Sequence, residues 1–119
     1  MTSILIIDDE DLIRELLRDI LEQAGYEVFE ASDGEIGLSS FREHPTDIVI
    51  TDLIMPGKEG IETIMDLKRE FDEVKIIAIS GGGRIDSESY LKMAKKFGVE
   101  TLSKPIDRNK FLETVSKLI

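Results

Sequence analysis

Short β-branched runs alternate with stretches of helical periodicity along the chain, and that alternation restricts the fold more than any other feature of the sequence. Runs at residues 4–7, 27–31, 48–51, 75–79 and 99–102 read as strands. Strands spaced by helical patterns predict βαβ units and a parallel sheet, so the fold class is α/β. The second and fifth runs are less apolar than the others, which places them at or near the edges, where a strand meets less of the core.

The intervening segments supply the helices. Leu12, Ile13, Leu16, Leu17, Ile20 and Leu21 repeat at helical spacing, with Arg14, Glu15, Arg18, Asp19 and Glu22 on the opposite face. Gly25 then provides the residue that helices favour just past their C-terminus. Further helices are expected over 34–43, 61–71 and 87–97, the last of these ending at Gly98. A final one begins after Asp107, where Phe111, Leu112, Val115, Leu118 and Ile119 form a single apolar stripe. No internal repeat or low-complexity tract interrupts the pattern. One domain over residues 1–119 is expected, with no output domain in this chain.

Composition narrows the function. A hydrophobic content of 41% over 119 residues is enough for one core. The absence of cysteine rules out disulfides and thiolate metal sites and fits a reducing compartment. No apolar run approaches the roughly 20 residues needed to span a bilayer, and no signal peptide is visible, so a cytoplasmic protein is expected. With 25 acidic against 15 basic residues the net charge is -10, which repels nucleic acid rather than gathering it.

Right-handed crossovers make successive strands point the same way, so the residues at their C-terminal ends gather along one edge of the sheet, where ligands bind in such folds. That edge collects Asp8 and Asp9 after the first strand, Asp52 after the third, Ser80 at the end of the fourth and Lys104 past the fifth. Carboxylates with water suit Mg²⁺, and a metal beside an ammonium suits a phosphoryl group, with an aspartate as nucleophile. Taken singly, each residue also has an ordinary structural account. Asp9-Glu10-Asp11 can complement a helix macrodipole, Asp52 can start a turn, Ser80 can be a strand-end hydroxyl and Lys104 a surface ammonium. Their joint arrival on one edge favours a site.

Four fragments in this order carry a resemblance: "IIDDE" at 6–10, "DIVITDLIMPGKEG" at 47–60, "IIAIS" at 76–80 and "SKPID" at 103–107. Over essentially its whole length the chain resembles a response-regulator receiver domain of two-component signalling. The resemblance implies a flavodoxin-like (βα)5 fold, a doubly wound parallel five-stranded sheet with strand order 2-1-3-4-5. It implies that Asp52 accepts a phosphoryl group from a histidine kinase or histidine phosphotransfer protein, with Mg²⁺ held by Asp8, Asp9, Asp52 and the backbone carbonyl of Ile54. Ser80 and Lys104 would meet the phosphoryl oxygens, partner binding would switch, and the Lys104–Pro105 peptide would be cis. Such a chain assists its own phosphorylation and is not expected to be a multiple-turnover enzyme.

Two features depart from the family pattern. Thr101 stands where receivers commonly carry an aromatic that turns inward on activation. Ile54 and Gly82, two residues past Asp52 and Ser80, offer no polar side chain to orient a hydrolytic water, so slow self-dephosphorylation is expected. The glycine-rich Gly81-Gly82-Gly83 loop is also slightly longer than usual. Two other classes of function remain open: a phosphorylation-independent interaction module, and a Mg²⁺-dependent phosphatase acting on a small molecule. Elsewhere, His44 is expected at the surface, Met55 and Met65 in packing, and Lys92, Lys95 and Lys96 on a solvated helix face.

Overall fold

The computed structural model describes residues 1–53, 60–80, 92 and 95–119. Among the described residues there are five strands: β1 (Ser3–Ile7), β2 (Glu27–Ala31), β3 (Ile48–Asp52), β4 (Lys75–Ser80) and β5 (Glu100–Ser103). All pair in parallel, in the order β2-β1-β3-β4-β5. The described helices are α1 (Asp11–Gln23), α2 (Gly34–Glu43), α3 (Gly60–Glu70) and a last helix, Arg108–Leu118. Of the helix expected over 87–97, most lies outside the described residues; Lys92, Lys95 and Lys96 are exposed, and Gly98 follows with φ 74°.

Strand periodicity sorts the core into two layers. Leu5, Ile7 and Val49 face Leu38 and Phe41 of α2 and Ile61, Ile64 and Leu67 of α3. Ile4, Ile6, Ile48 and Ile50 face Leu17, Ile20 and Leu21 of α1 and Phe111 and Val115 of the last helix. Because both faces of β1 and β3 are covered, their sequences are continuous apolar runs rather than alternating ones. The less apolar strands are the two edges, as their composition predicts.

The strand ends and one helix face differ from the sequence reading. Asp52 is the last residue of β3, paired with Ile79, instead of lying beyond the strand, whereas Ser80 ends β4, paired with Ser103, as expected. β5 runs one residue later than expected because its register is set by β4, where Glu100 pairs with Ile77. On α1 the apolar stripe is wider than the buried one. Leu12 is 79% exposed and Leu16 46%, while Leu17, Ile20 and Leu21 are the buried residues of the helix. Met65 is also turned outward, at 44% exposed, while His44 is exposed as expected. Met55 lies outside the described residues.

Helix ends are placed by local chemistry. Asp33 accepts a 2.9 Å hydrogen bond from the Ile36 amide at the start of α2, and Asp107 accepts one of 3.2 Å from Lys110 at the start of the last helix. Gly25 follows α1 with φ 94°, a conformation that an L side chain resists.

Candidate functional site

The C-terminal ends of β1, β3, β4 and β5 form one rim. Asp8 follows β1, and its amide donates to the Ala31 carbonyl of β2 (3.1 Å), which continues the ladder by one step. Asp8 Oδ1 accepts from the Glu10 amide at 2.9 Å, which folds the chain back toward α1. Glu10 occupies the N-cap position of α1 but makes no capping bond with its side chain. The capping account of Asp9-Glu10-Asp11 therefore does not explain where Glu10 points.

Glu10 points at a lysine. Lys104 Nζ donates to Glu10 Oε1 at 3.0 Å and to Asp52 Oδ2 at 3.2 Å, and lies 3.6 Å from Asp8 Oδ2. The Lys104 amide donates to the Ser80 carbonyl at 2.9 Å, extending the β4–β5 ladder and bringing the lysine back over the rim. The Lys104–Pro105 peptide is cis, as the resemblance implies. Ser80 is buried at the end of β4, next to the strand end carrying Asp52.

Asp52 itself is buried, and its backbone is held from two sides. Thr51 Oγ1 donates to the Asp52 carbonyl at 3.1 Å. Gly60, at the start of α3, packs so closely that a Cβ there would fall 2.0 Å from the same carbonyl oxygen. Glycine is required by this approach, because the atoms a Cβ would meet are backbone and cannot swing aside as a flexible side chain could.

Among the described residues, carboxylates outnumber cations at the rim. One carboxylate oxygen from each of Asp8, Asp9, Glu10 and Asp52 lies within 4.8 Å of the others. At an effective dielectric of about 20, two unit charges at about that separation repel by about 3.5 kcal/mol, and the Lys104 ammonium alone does not offset all such pairs. Burial, joined by the Asp52 charge, pushes the Asp8 carboxyl up to about 6 despite the Glu10 amide and Lys104. Its Oδ2 is a buried oxygen with no hydrogen-bond partner. For Lys104, burial acts to lower the pKa, but the hydrogen bond to Glu10 and the charges of Asp52 and Asp8 outweigh it and raise the value. A hard divalent cation fits this set, since it would take up the orphaned oxygen and relieve the repulsion together.

A family model for the response regulator receiver domain matches residues 4–116. The chain belongs to this family. As a receiver domain it is 37% identical over 98% of its length to response regulator GtcR of Aneurinibacillus migulanus, of which it spans 46%. It is 30% identical to sporulation initiation phosphotransferase F of Bacillus subtilis, over 98% of this chain and 93% of that protein. The structure of response regulator TrrA from Thermotoga maritima in complex with Mg(2+)-BeF superposes with a TM-score of 0.89 at 32% identity and full coverage of both chains. The receiver fold and its place in two-component signalling therefore follow.

The receiver's rim brings together Asp8, Asp9, Asp52, Ser80 and Lys104, the residues named from the sequence. Ile54, whose carbonyl was the further expected metal ligand, lies outside the described residues, as does Gly82. Thr101 is half-buried opposite Ala78 and lines a hollow of about 290 Å³ with Pro105, Ile106 and Phe111. Two residues at the rim escaped the sequence reading. Glu10 had a signal, being next to two acids at a strand exit. Arg14 had none, because helical periodicity puts it on the polar face of α1, while the structure buries its side chain to 15% exposure.

Proposed function

We propose that this receiver domain takes a phosphoryl group onto Asp52 from a histidine kinase or histidine phosphotransfer protein, and that the change alters its affinity for a downstream partner. The observation that carries the reading is the buried Asp52 carboxylate held at 3.2 Å by Lys104, beside Asp8 Oδ2, a buried oxygen with no hydrogen-bond partner among the described residues. An Asp52 oxygen would attack phosphorus as the bond to the donor histidine nitrogen breaks, leaving an acyl phosphate on the domain and a neutral histidine on the donor.

Asp8, Asp9 and Asp52, with the Ile54 carbonyl, would hold Mg²⁺, which when bound offsets charge on the phosphoryl oxygens and the carboxylates. Lys104 orients Asp52 before reaction and pairs with the added charge after it, exchanging its contact with Glu10. The Ser80 hydroxyl, at the end of the neighbouring strand, would donate to a phosphoryl oxygen, and its movement would carry the change into the residues that follow β4. Because the covalent event modifies the domain itself, we assign signalling rather than multiple-turnover catalysis, and a cytoplasmic setting in which kinase and partner meet it.

Labelling by a small phosphodonor such as acetyl phosphate tests the reading. The wild type should label in Mg²⁺ and not in chelator, and Asp52→Asn should not label in either. Equal labelling of the two proteins would move the nucleophile elsewhere.

A further inference from the structure

The side chain of Arg14 runs inward from the first turn of α1 and spreads its guanidinium across three parts of the fold. Nη1 donates to the backbone carbonyl of Asp8 at 2.6 Å. Nε donates to Glu30 Oε1 at 3.2 Å, on the edge strand β2, and Nη2 bonds Asp11 in its own helix. Glu30 is in turn held by Arg18, whose Nη1 meets Oε2 at 2.5 Å. Glu30 pairs in register with Ile6, two residues before Asp8.

These bonds matter because of what else fixes Asp8. Its amide is committed to Ala31 and its Oδ1 to the Glu10 amide. Arg14 takes the remaining backbone group, the carbonyl, so the peptide between Asp8 and Asp9 cannot rotate without breaking a charge-assisted bond. That peptide sets the direction of both carboxylates relative to Asp52. Three nitrogens of one planar group reach three acceptors at once, a geometry that a lysine ammonium on a flexible stem cannot reproduce.

We propose that Arg14 is a positioning residue for the metal site: it locks the Asp8–Asp9 peptide so that the two carboxylates are aimed at the cation before it arrives. This rests on the reading that Asp8 and Asp9 hold Mg²⁺. Arg18 provides the comparison, because it shares Glu30 and also pairs with Glu22, yet has no bond to Asp8.

The test is a Mg²⁺ titration by calorimetry at neutral pH on the full chain, with thermal unfolding measured in parallel in chelator. Outer-shell partners of metal ligands typically change affinity by about 10–100-fold, so Arg14→Lys should weaken Mg²⁺ about tenfold, and Arg18→Ala by no more than about twofold. Both variants should lose some thermal stability, so a purely structural role would not separate them. Should Arg14→Lys fail to fold, Glu30→Gln removes the carboxylate that orients the guanidinium, and it should weaken Mg²⁺ more than Arg18→Ala does. Wild-type affinity in Arg14→Lys, equal weakening in Arg18→Ala, or an unchanged affinity in Glu30→Gln would overturn the proposal. Failure of the wild type to bind Mg²⁺ would instead remove the metal reading on which it rests.

Discussion

Asp8 is held in a position where its charge is disfavoured, and the consequence can be measured as a dependence of stability on pH. Burial, with the Asp52 charge, raises its carboxyl from 3.8 to about 6. A group whose folded pKa lies above its unfolded value contributes stability that is complete below the unfolded pKa and lost as pH rises through the folded one. In chelator, this contribution should therefore fade between about pH 4 and pH 6. Asp8→Asn keeps the acceptor for the Glu10 amide and removes the charge, so at neutral pH in chelator it should be more stable than the wild type. With allowance for solvent at the rim, the gain should be about 1–2 kcal/mol. Chemical denaturation at neutral pH checks this, and a variant no more stable than the wild type would contradict it. Mg²⁺ should reverse the order, because only the wild type offers the oxygen that needs a cation. At the same scale, Ile54 and Gly82, two residues past Asp52 and Ser80 in the sequence, carry no polar side chain. Phosphorylated protein freed of donor should keep its label far beyond seconds in a decay assay without added phosphatase.

The first turn of α3 is where an element and the site meet most tightly. A Cβ at Gly60 would overlap the Asp52 carbonyl oxygen and sit 2.5 Å from Leu53 Cα, so Gly60→Ala must shift either the helix or the end of β3. Overpacking of this kind costs about 1–3 kcal/mol, and here the displaced backbone carries Asp52. Thermal unfolding should show that loss and phosphodonor labelling should slow with it; labelling at the wild-type rate would mean that α3 yields without moving β3. The helix starts were legible because Asp33 and Asp107 precede their helices in the sequence and cap them in the structure. The burial of α1 was less so. Periodicity identifies Leu12 and Leu16 as apolar, but which residues the sheet covers depends on where the helix begins relative to the rim, and no local pattern records that.

Across the whole molecule, a net charge of -10 acts on a compact body, and the rim concentrates part of it where Lys104 is shared by Asp8, Glu10 and Asp52. Self-repulsion of this kind is screened by salt, so raising KCl in chelator should raise the unfolding temperature. A fall would show that surface ion pairs such as Arg42 with Glu70 outweigh the repulsion. No helix among the described residues is long and apolar enough to cross a membrane. The sequence by itself determined the strand count, the parallel sheet and its weak edges, because strand and helix periods are local and the crossover rule converts them into one shared rim. It also named Asp8, Asp9, Asp52, Ser80 and Lys104, since each stands at or just past a strand end. Only the tertiary structure decided that Glu10 shares Lys104 with Asp52, that Gly60 must be bare, and that Arg14 grips Asp8. Those contacts join residues brought together by the sheet register and helix docking, which arise from the packing of the whole chain rather than from any one segment.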